Sequence, residues 1–304
     1  MASPFYAQKP LRYCAVYGGV IFLEPLMSEF KDIYKFRSMS LNSLVSLSSS
    51  KIWFASKYDL NDPFEGYIYI SEPSDKADKI VQYTRLGQEI IAKRDGMSSD
   101  EAREIVLSRY LSDPEGFISF VDNLLKEHQE TISSGQAAFG IYSVSSDIPG
   151  KEITQESNML MWSHYADGFK GFCIQYDLSS LYASLESMNQ NTKFAWCAVD
   201  YLEKPHKVSI VNDIGKGTLE AFKAIQCKHE QWCYECEIRL VSSKTGSFSI
   251  SPSAVKTIYI GGRMPQEQRE LLISIVRRSM PDCAMKIVSI ATGLDKYAVH
   301  INEI

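Results

Sequence analysis

The feature that most constrains the fold is a change of periodicity within the chain of 304 residues. Between residues 74 and 133, apolar side chains recur every three or four positions, and Ser98 and Asp113-Pro114 are typical of helix starts. Short β-branched and aromatic segments lie on both sides of this stretch. They do not alternate regularly with helices. The pattern therefore predicts a mixed α+β fold with largely antiparallel sheets, as a single domain over 1–304 with a helical insertion at 74–133.

The individual elements follow from the same periodicities of two and of three to four residues. The predicted strands are 33–37, 51–56, 67–70, 138–144, 171–177, 194–201, 233–241, 256–260 and 284–290. Further helices are predicted at 41–47, 213–230 and 265–278. The chain is thus predicted to be rich in strands everywhere outside the insertion.

Composition sets limits on compartment and partners. The formal net charge is −5 without a run of like charges, which argues against general electrostatic capture of nucleic acid. The seven cysteines are widely spaced, unlike those of a small disulfide-stabilised secreted domain. No stretch approaches the roughly 20 apolar residues of a membrane helix. We expect a soluble cytoplasmic protein with reduced cysteines and no membrane association.

The residues with most chemical promise lie in the predicted strand that ends near residue 241. In a strand over 232–240, the period of two places Glu235, Glu237 and Arg239 on one face and apolar residues on the other. Two neighbouring carboxylates raise one another's pKa and an adjacent guanidinium lowers it, so such a group can orient or deprotonate a substrate hydroxyl. An equally simple interpretation is a solvated strand face with a cross-strand ion pair.

The same segment contains a pair of cysteines with zinc-like spacing, Cys233 and Cys236. Residues three apart on a strand face opposite ways, and a second pair at conventional spacing is missing from the sequence. We therefore expect no metal.

Two other blocks crowd polar and aromatic residues together. Asp62 and Glu65 lie in an Asn-Asp-Pro-Phe-Glu-Gly turn, where turn formation alone would explain them. His164 lies between Trp162 and Tyr165, which would suit a flat ligand, although aromatic residues beside a helix are more often part of a core.

Taken in order along the chain, these blocks resemble the bacterial family catalogued as Domain of Unknown Function 2971. The likeness extends from about residue 33 to the end. It rests on a Tyr-Lys-Phe-Arg strand, Trp-Phe-Ala-Ser, Asn-Asp-Pro-Phe-Glu, Met-Trp-Ser-His-Tyr-Ala, Gly-Phe-Cys-Ile-Gln-Tyr-Asp and the segment from Lys228 to Arg239. The family name implies no activity.

The order of Arg37, Ser56 and Glu235-Cys236-Glu237 also resembles ADP-ribosyltransferases of the arginine-serine-glutamate type. That resemblance implies an ADP-ribosyltransferase-like core and an NAD-dependent ADP-ribosyltransferase or NAD glycohydrolase, acting as a toxin or defence effector. NAD would be the substrate, with a protein or nucleic-acid acceptor and an antitoxin or regulatory partner. Ala55-Ser56 departs from the usual Ser-Thr-Ser.

The resemblance implies a role for each candidate residue. Glu237 would stabilise the positive charge that develops on the ribose, and Glu235 would engage the acceptor. Arg37 would hold the pyrophosphate or the adenine ribose, so that Arg37→Ala would lose NAD binding. The other predicted cofactor contacts are Tyr34, Trp53, Ser56, Tyr67 and His164, and the other predicted substrate contacts are Asp62, Glu65, Trp162 and Arg239.

Two alternatives remain open at the level of sequence. One is a nuclease-like effector with a divalent metal held among Asp62, Glu65, Glu235 and Glu237, assisted by Lys228. The other is a non-catalytic module that binds a nucleotide or a partner through the aromatic blocks.

Overall fold

The structure is a computed structural model that describes residues 16–17, 20–21, 30–71, 75–147, 158–209, 217–292 and 298–304. The chain divides into two compact units. The first unit comprises Met1–Leu60, Phe139–Tyr201 and Glu230–Ile304, and the second comprises Asn61–Ala138 and Leu202–His229. Each unit is described separately below.

The first unit is built on a mixed sheet of eight strands. Its strands and helices are β1 Val16–Tyr17, β2 Val20–Ile21, β3 Asp32–Arg37, α1 Leu41–Ser48, β4 Lys51–Phe54, β6 Gly140–Ser146, α5 Met159–Tyr165, β7 Phe172–Asp177, α6 Leu178–Met188, β8 Phe194–Ala198, β9 Asp200–Leu202, β12 Glu237–Ser242, β13 Gly246–Ser249, β14 Val255–Gly261, α8 Gln266–Ser279, β15 Ala284–Ile290 and β16 Val299–Glu303. The order across the sheet is β16-β15-β14-β7-β3-β6-β12-β8. Within this sheet, β14 and β15 pair in parallel and the other neighbouring strands pair antiparallel.

One face of this sheet carries the main hydrophobic core. Side chains of β6, β7, β12 and β14 pack there against α1, α6, α8 and the β4–β13 pair. The core contains Phe54, Tyr142, Tyr176, Trp196 and Leu240, each at most 2% exposed. Burial of such large side chains removes most apolar area from water, so this face dominates the stability of the unit.

The opposite face holds a smaller apolar cluster beneath α5. Trp162 is fully buried there, stacked on Phe169 at 5.2 Å and edge-on to Phe36 at 5.4 Å between ring centroids. Asn158 caps α5 by accepting from the backbone of Leu160. The packing of Trp162 and this cap fix α5 on the sheet, and α5 carries His164 and Tyr165.

The second unit is largely helical. It contains β5 Ile68–Ser71, α2 Lys76–Asp95, α3 Ser99–Ser112, α4 Pro114–Ala138, β10 His206–Ser209, α7 Gly217–Gln226 and β11 Cys227–His229. β5 and β10 pair in parallel. Glu220 on α7 is 1% exposed and contacts His206 Nε2 at 2.7 Å and Lys223 Nζ at 2.9 Å. Burial raises the pKa of Glu220, but the hydrogen bonds with His206 and Lys223 and the charge of Lys223 outweigh burial and lower it.

The prediction of a mixed, largely antiparallel α+β fold is confirmed. The single-domain boundary stays a prediction, since the helices at 76–138 lie in a compact unit that also takes in 202–229. Residue 74 and residues 213–216 of the predicted 213–230 helix lie outside the described residues. None of the helices in the described ranges is long and apolar enough to cross a membrane.

Two predicted elements were wrong in extent. The helix predicted at 213–230 ends at Gln226, and Cys227–His229 forms β11. The strand predicted at 233–241 begins only at Glu237, because Glu230–Glu235 forms a 3₁₀ helix. No helix was predicted at α6. Asp177 caps its start by accepting from the backbone N–H of Ser180, and Leu178, Leu181 and Leu185 form its buried face.

Candidate functional site

The centre of the site is the junction between the 3₁₀ helix at Glu230–Glu235 and β12. The backbone N–H of Cys236 donates to Cys233 O at 3.3 Å, and the φ of Cys236 is 45°, which ends the turn and redirects the chain into β12. Two distant groups hold this geometry. Asn158 Nδ2 donates to Tyr234 O at 3.1 Å, and Ser146 N donates to Cys236 O at 2.9 Å.

This turn corrects the predicted arrangement of carboxylates. Glu237 and Arg239 do share one face of β12, but Glu235 belongs to the turn and not to that strand face. The parity argument against a shared metal also fails for Cys233 and Cys236, because they are not on a strand. In the parts of the chain that the structure describes, no group of three or more His, Cys, Asp and Glu side chains could hold a metal ion.

Glu237 and Arg239 form a buried ion pair. Arg239 Nε donates to Glu237 Oε1 at 2.9 Å and Nη2 donates to Oε2 at 3.2 Å, so both carboxylate oxygens accept from one guanidinium. Arg239 is 0% exposed and Glu237 is 4% exposed. A forked pair in such surroundings is strongly oriented, and each charge depends on the other to offset its loss of hydration.

Tyr201 closes the other side of this pair. Its Oη accepts from the backbone N–H of Glu237 at 2.7 Å. Burial raises the pKa of Tyr201 well above its ordinary value, and the negative charges of Glu237 and Glu235 add to the effect. Tyr201 therefore stays a neutral phenol.

A second network of two hydrogen bonds joins α5 to the turn, one at the buried Glu235 and one at the exposed His164. The Tyr165 hydroxyl donates to Glu235 Oε1 in a short hydrogen bond. The Tyr234 hydroxyl lies 2.9 Å from His164 Nδ1. Burial raises the pKa of Tyr234 to about 12, and the charge of Glu235 adds to this shift. Glu235 itself is 4% exposed, whereas His164 lies on the surface.

The donor of one of these hydrogen bonds is fixed and that of the other depends on the imidazole. A carboxylate only accepts, so the single hydroxyl proton of Tyr165 goes to Glu235. The donor between Tyr234 and His164 depends on the tautomer of the imidazole. In the tautomer with its proton on Nδ1, that proton goes to the Tyr234 hydroxyl and Nε2 is left as a proton acceptor. In that tautomer the site presents His164 as a base.

Aromatic rings border the exposed end of this network. The rings of Trp232 and Tyr234 are 6.3 Å apart and tilted by 38°, and the His164 ring lies 5.7 Å from that of Tyr234. Trp232 is partly exposed. Flat π surfaces next to an oriented base suit a ring-containing ligand.

Arg37 does not join this site. Strand register places Tyr34 beside Ser145 of β6, and Ser145 beside Glu237 of β12, so these three residues share a face. Arg37 is three positions from Tyr34 and lies on the other face, where its guanidinium carbon stands 5.9 Å from the centroid of the Tyr142 ring. The sheet therefore separates Arg37 from Glu237.

The remaining predicted residues of the first unit are Tyr34, Trp53, Ser56 and Trp162. Tyr34 is 3% exposed and donates to Asp147 Oδ2 at 3.4 Å. Ser56 caps a 3₁₀ turn by accepting from Tyr58 N, and Trp53 on β4 is 53% exposed. Trp162 is fully buried and its ring serves packing.

Of the predicted residues of the second unit, Asp62, Glu65 and Tyr67 lie in or beside one turn and Lys228 lies on β11. Asp62 Oδ1 accepts from Phe64 N at 2.9 Å, and Glu65 N donates to Asp62 O at 3.1 Å. Asp62, Glu65 and Lys228 are all buried, whereas Tyr67 is 55% exposed with its ring 6.3 Å from that of Phe64. The side chain of Asp62 acts as the turn former that its sequence context indicated.

Tyr201, Tyr234 and Asn158 were not among the predicted site residues, and Tyr165 was considered only as a flat surface beside His164. Tyr165 and Tyr234 belong to blocks that crowd aromatic and charged residues, and this was a usable signal. Asn158 and Tyr201 contact the site through single hydrogen bonds to backbone, a role that leaves no pattern in the sequence.

The comparisons with known proteins bear on the family and not on the site or its chemistry. A family model described as "Protein of unknown function (DUF2971)" matches residues 161–240, a segment that begins at α5 and ends within β12. This match confirms the predicted resemblance to that family over those residues. Neither the comparison with curated proteins nor that with solved structures found a match.

Proposed function

We propose that this protein cleaves the bond between nicotinamide and ribose in NAD, as an ADP-ribosyltransferase or an NAD glycohydrolase. In this proposal the reaction takes place at the face formed by Glu235, Tyr165, Tyr234 and His164. A role as a toxin or defence effector would follow from the removal of NAD or the modification of an acceptor.

The observation that carries the proposal is the network between a buried carboxylate and an exposed imidazole. Cleavage of an N-glycosidic bond develops positive charge on the ribose, and a nearby carboxylate in a poorly hydrated site stabilises that charge. Glu235 is such a carboxylate. The partly exposed ring of Trp232 offers a surface on which nicotinamide or adenine would stack.

The two carboxylates accept from different kinds of donor. Both oxygens of Glu237 accept from Arg239, so Glu237 is held in a pair that any substrate hydroxyl would have to break. Glu235 accepts from the hydroxyl of Tyr165, a neutral donor of the kind that a ribose hydroxyl can replace. We therefore assign charge stabilisation to Glu235 and a positioning role to the Glu237–Arg239 pair.

The balanced reaction assigns a role to His164. The C–N bond breaks and nicotinamide leaves as a neutral molecule with the bonding electrons. An acceptor O–H or N–H, or water, then forms the new bond to the ribose carbon. His164 Nε2 takes the proton that the acceptor releases, in the tautomer in which Nδ1–H donates to the Tyr234 hydroxyl.

The test is release of nicotinamide from NAD, measured by chromatography with water alone and with mixed protein and RNA acceptors. We expect Glu235→Gln and His164→Gln each to lower the rate by at least tenfold. Glu186→Gln is the matched control, because Glu186 is an exposed glutamate on α6, against the opposite face of the sheet.

Absence of nicotinamide release under every condition would overturn the proposal, and so would an unchanged rate in Glu235→Gln. Loss of added RNA or DNA that requires a divalent metal would support the nuclease instead. Binding of NAD without turnover would support a nucleotide-binding module.

A further inference from the structure

Two cysteines lie in the turn that carries Glu235, and the proposed chemistry uses neither of them. Cys233 is within the 3₁₀ helix, and Cys236 follows it directly before β12. Both have a reduced thiol and are partly exposed. They bracket Tyr234 and Glu235, so a bond between them would enclose two residues of the candidate site.

The backbone brings these cysteines within disulfide range. The Cys236 N–H donates to Cys233 O at 3.3 Å, as in a turn in which the first and fourth Cα atoms are less than about 7 Å apart. Disulfides span Cα separations of roughly 4.4–6.8 Å. The Cys236 thiol already folds back over the turn, with Sγ 3.5 Å from Cys233 O.

The other described cysteines of the first unit lack this geometry or this access. Cys173 and Cys197 are 0% exposed. Cys283 is partly exposed, but burial raises the pKa of its thiol to about 11, which leaves little reactive thiolate near neutral pH. Cys233 and Cys236 are therefore the pair best placed to react with each other.

We propose that Cys233 and Cys236 are a redox modification site that forms a reversible disulfide. With hydrogen peroxide as oxidant, one thiolate attacks the O–O bond and becomes a sulfenic acid, while the other oxygen leaves as water. The second thiol attacks that sulfur and releases a second water. The two thiols together lose two electrons and two protons, and the peroxide is reduced.

A disulfide between Cys233 and Cys236 would change the turn more than it would change β12. Cys236 O is held by Ser146 N at 2.9 Å and by Ser146 Oγ at 3.1 Å, so the β12 end of the turn is anchored to the sheet. Closing the ring therefore draws Cys233 towards Cys236 and tightens the segment that presents Tyr234 and Glu235. The proposal does not depend on what reaction the site performs.

The experiment uses the full chain and one peptide. Trypsin cleaves after Lys228 and after Arg239, which gives a peptide over 229–239 that contains these two cysteines and no other. The protein is treated with peroxide and then denatured in the presence of iodoacetamide, which alkylates the remaining thiols. It is then digested with trypsin and analysed by mass spectrometry. We expect this peptide to become lighter by two hydrogen atoms and to resist alkylation, and dithiothreitol to restore two alkylated cysteines.

Variants separate this outcome from general oxidation. Cys283→Ser should leave the disulfide yield unchanged, whereas Cys233→Ser and Cys236→Ser should each abolish it with an unchanged circular dichroism spectrum. In the wild-type protein, equal alkylation of both cysteines before and after peroxide treatment would by itself overturn the proposal. Overoxidation without a cross-link, or a bond from Cys233 to a different cysteine, would overturn it too.

Discussion

Replacing Arg239 by methionine tests whether Glu237 and Arg239 act as one buried unit. Methionine keeps most of the side-chain length but removes both donors to Glu237, which is 4% exposed. Loss of one partner leaves an uncompensated buried charge, which costs about 3–5 kcal/mol. At roughly 2 °C per kcal/mol for a domain of this size, Tm should fall by about 6–10 °C.

A double variant distinguishes loss of charge balance from loss of packing. Glu237→Leu with Arg239→Met removes both charges, so it should be more stable than Arg239→Met alone. Arg277→Met is the matched control, because Arg277 is exposed on α8, and it should stay within about 0.5 kcal/mol of wild type. Thermal and urea unfolding followed by circular dichroism measure all four proteins. A cost below about 1 kcal/mol for Arg239→Met, or a double variant less stable than this single variant, would refute the reasoning.

Three further predictions concern separate contacts. Tyr165→Phe removes the donor to Glu235, a hydrogen bond to a charged group worth about 1.5–3 kcal/mol, so nicotinamide release should fall roughly 10- to 100-fold and Tm by about 3–6 °C. The pKa of Glu220 is lowered in the folded protein, so the stability that this carboxylate contributes is present above its ordinary pKa of 4.5 and is lost as the pH falls below 4.5. The difference in Tm between wild type and Glu220→Gln should therefore shrink as the pH falls below 4.5. Gly261→Ala would place a methyl group 2.2 Å from Phe169 O, so we expect a loss of at least about 1–3 kcal/mol in urea unfolding, and an unchanged midpoint would contradict this contact.

The period of two correctly predicted which residues share a face of a strand, wherever the predicted strand is present in the structure. Glu237 and Arg239 lie on one face of β12 and Leu240 lies on the other, as expected. The same rule failed at Glu235, because a 3₁₀ helix replaces the first half of the predicted strand. That helix is held by Asn158 and Ser146, which lie far away in the sequence, and local propensity does not contain such contacts.

Alternation also says nothing about how two strands align with each other. Arg37 and Glu237 each lie on a correctly predicted strand segment, yet the sequence could not place them on the same or on opposite faces. Their relative orientation depends on the pairing of Tyr34 with Ser145 and of Ser145 with Glu237, which is a property of the sheet. A candidate site assembled from block order alone therefore mixed residues from two faces.

Arg37→Ala tests this separation directly. The sequence resemblance implied that the variant would lose NAD binding, whereas strand register places Arg37 on the face opposite to Glu235 and Tyr165, above the buried ring of Tyr142. Loss of a cation–π contact of this kind costs about 0.5–2 kcal/mol, so we expect a modest fall in Tm and an unchanged Kd for NAD in calorimetric titration. Glu235→Gln should show the reverse pattern, with Tm nearly kept and nicotinamide release lost. If Arg37→Ala abolishes NAD binding while its Tm stays near that of wild type, the nucleotide binds on the Tyr142 face, and the site proposed around Glu235 is not where the cofactor lies.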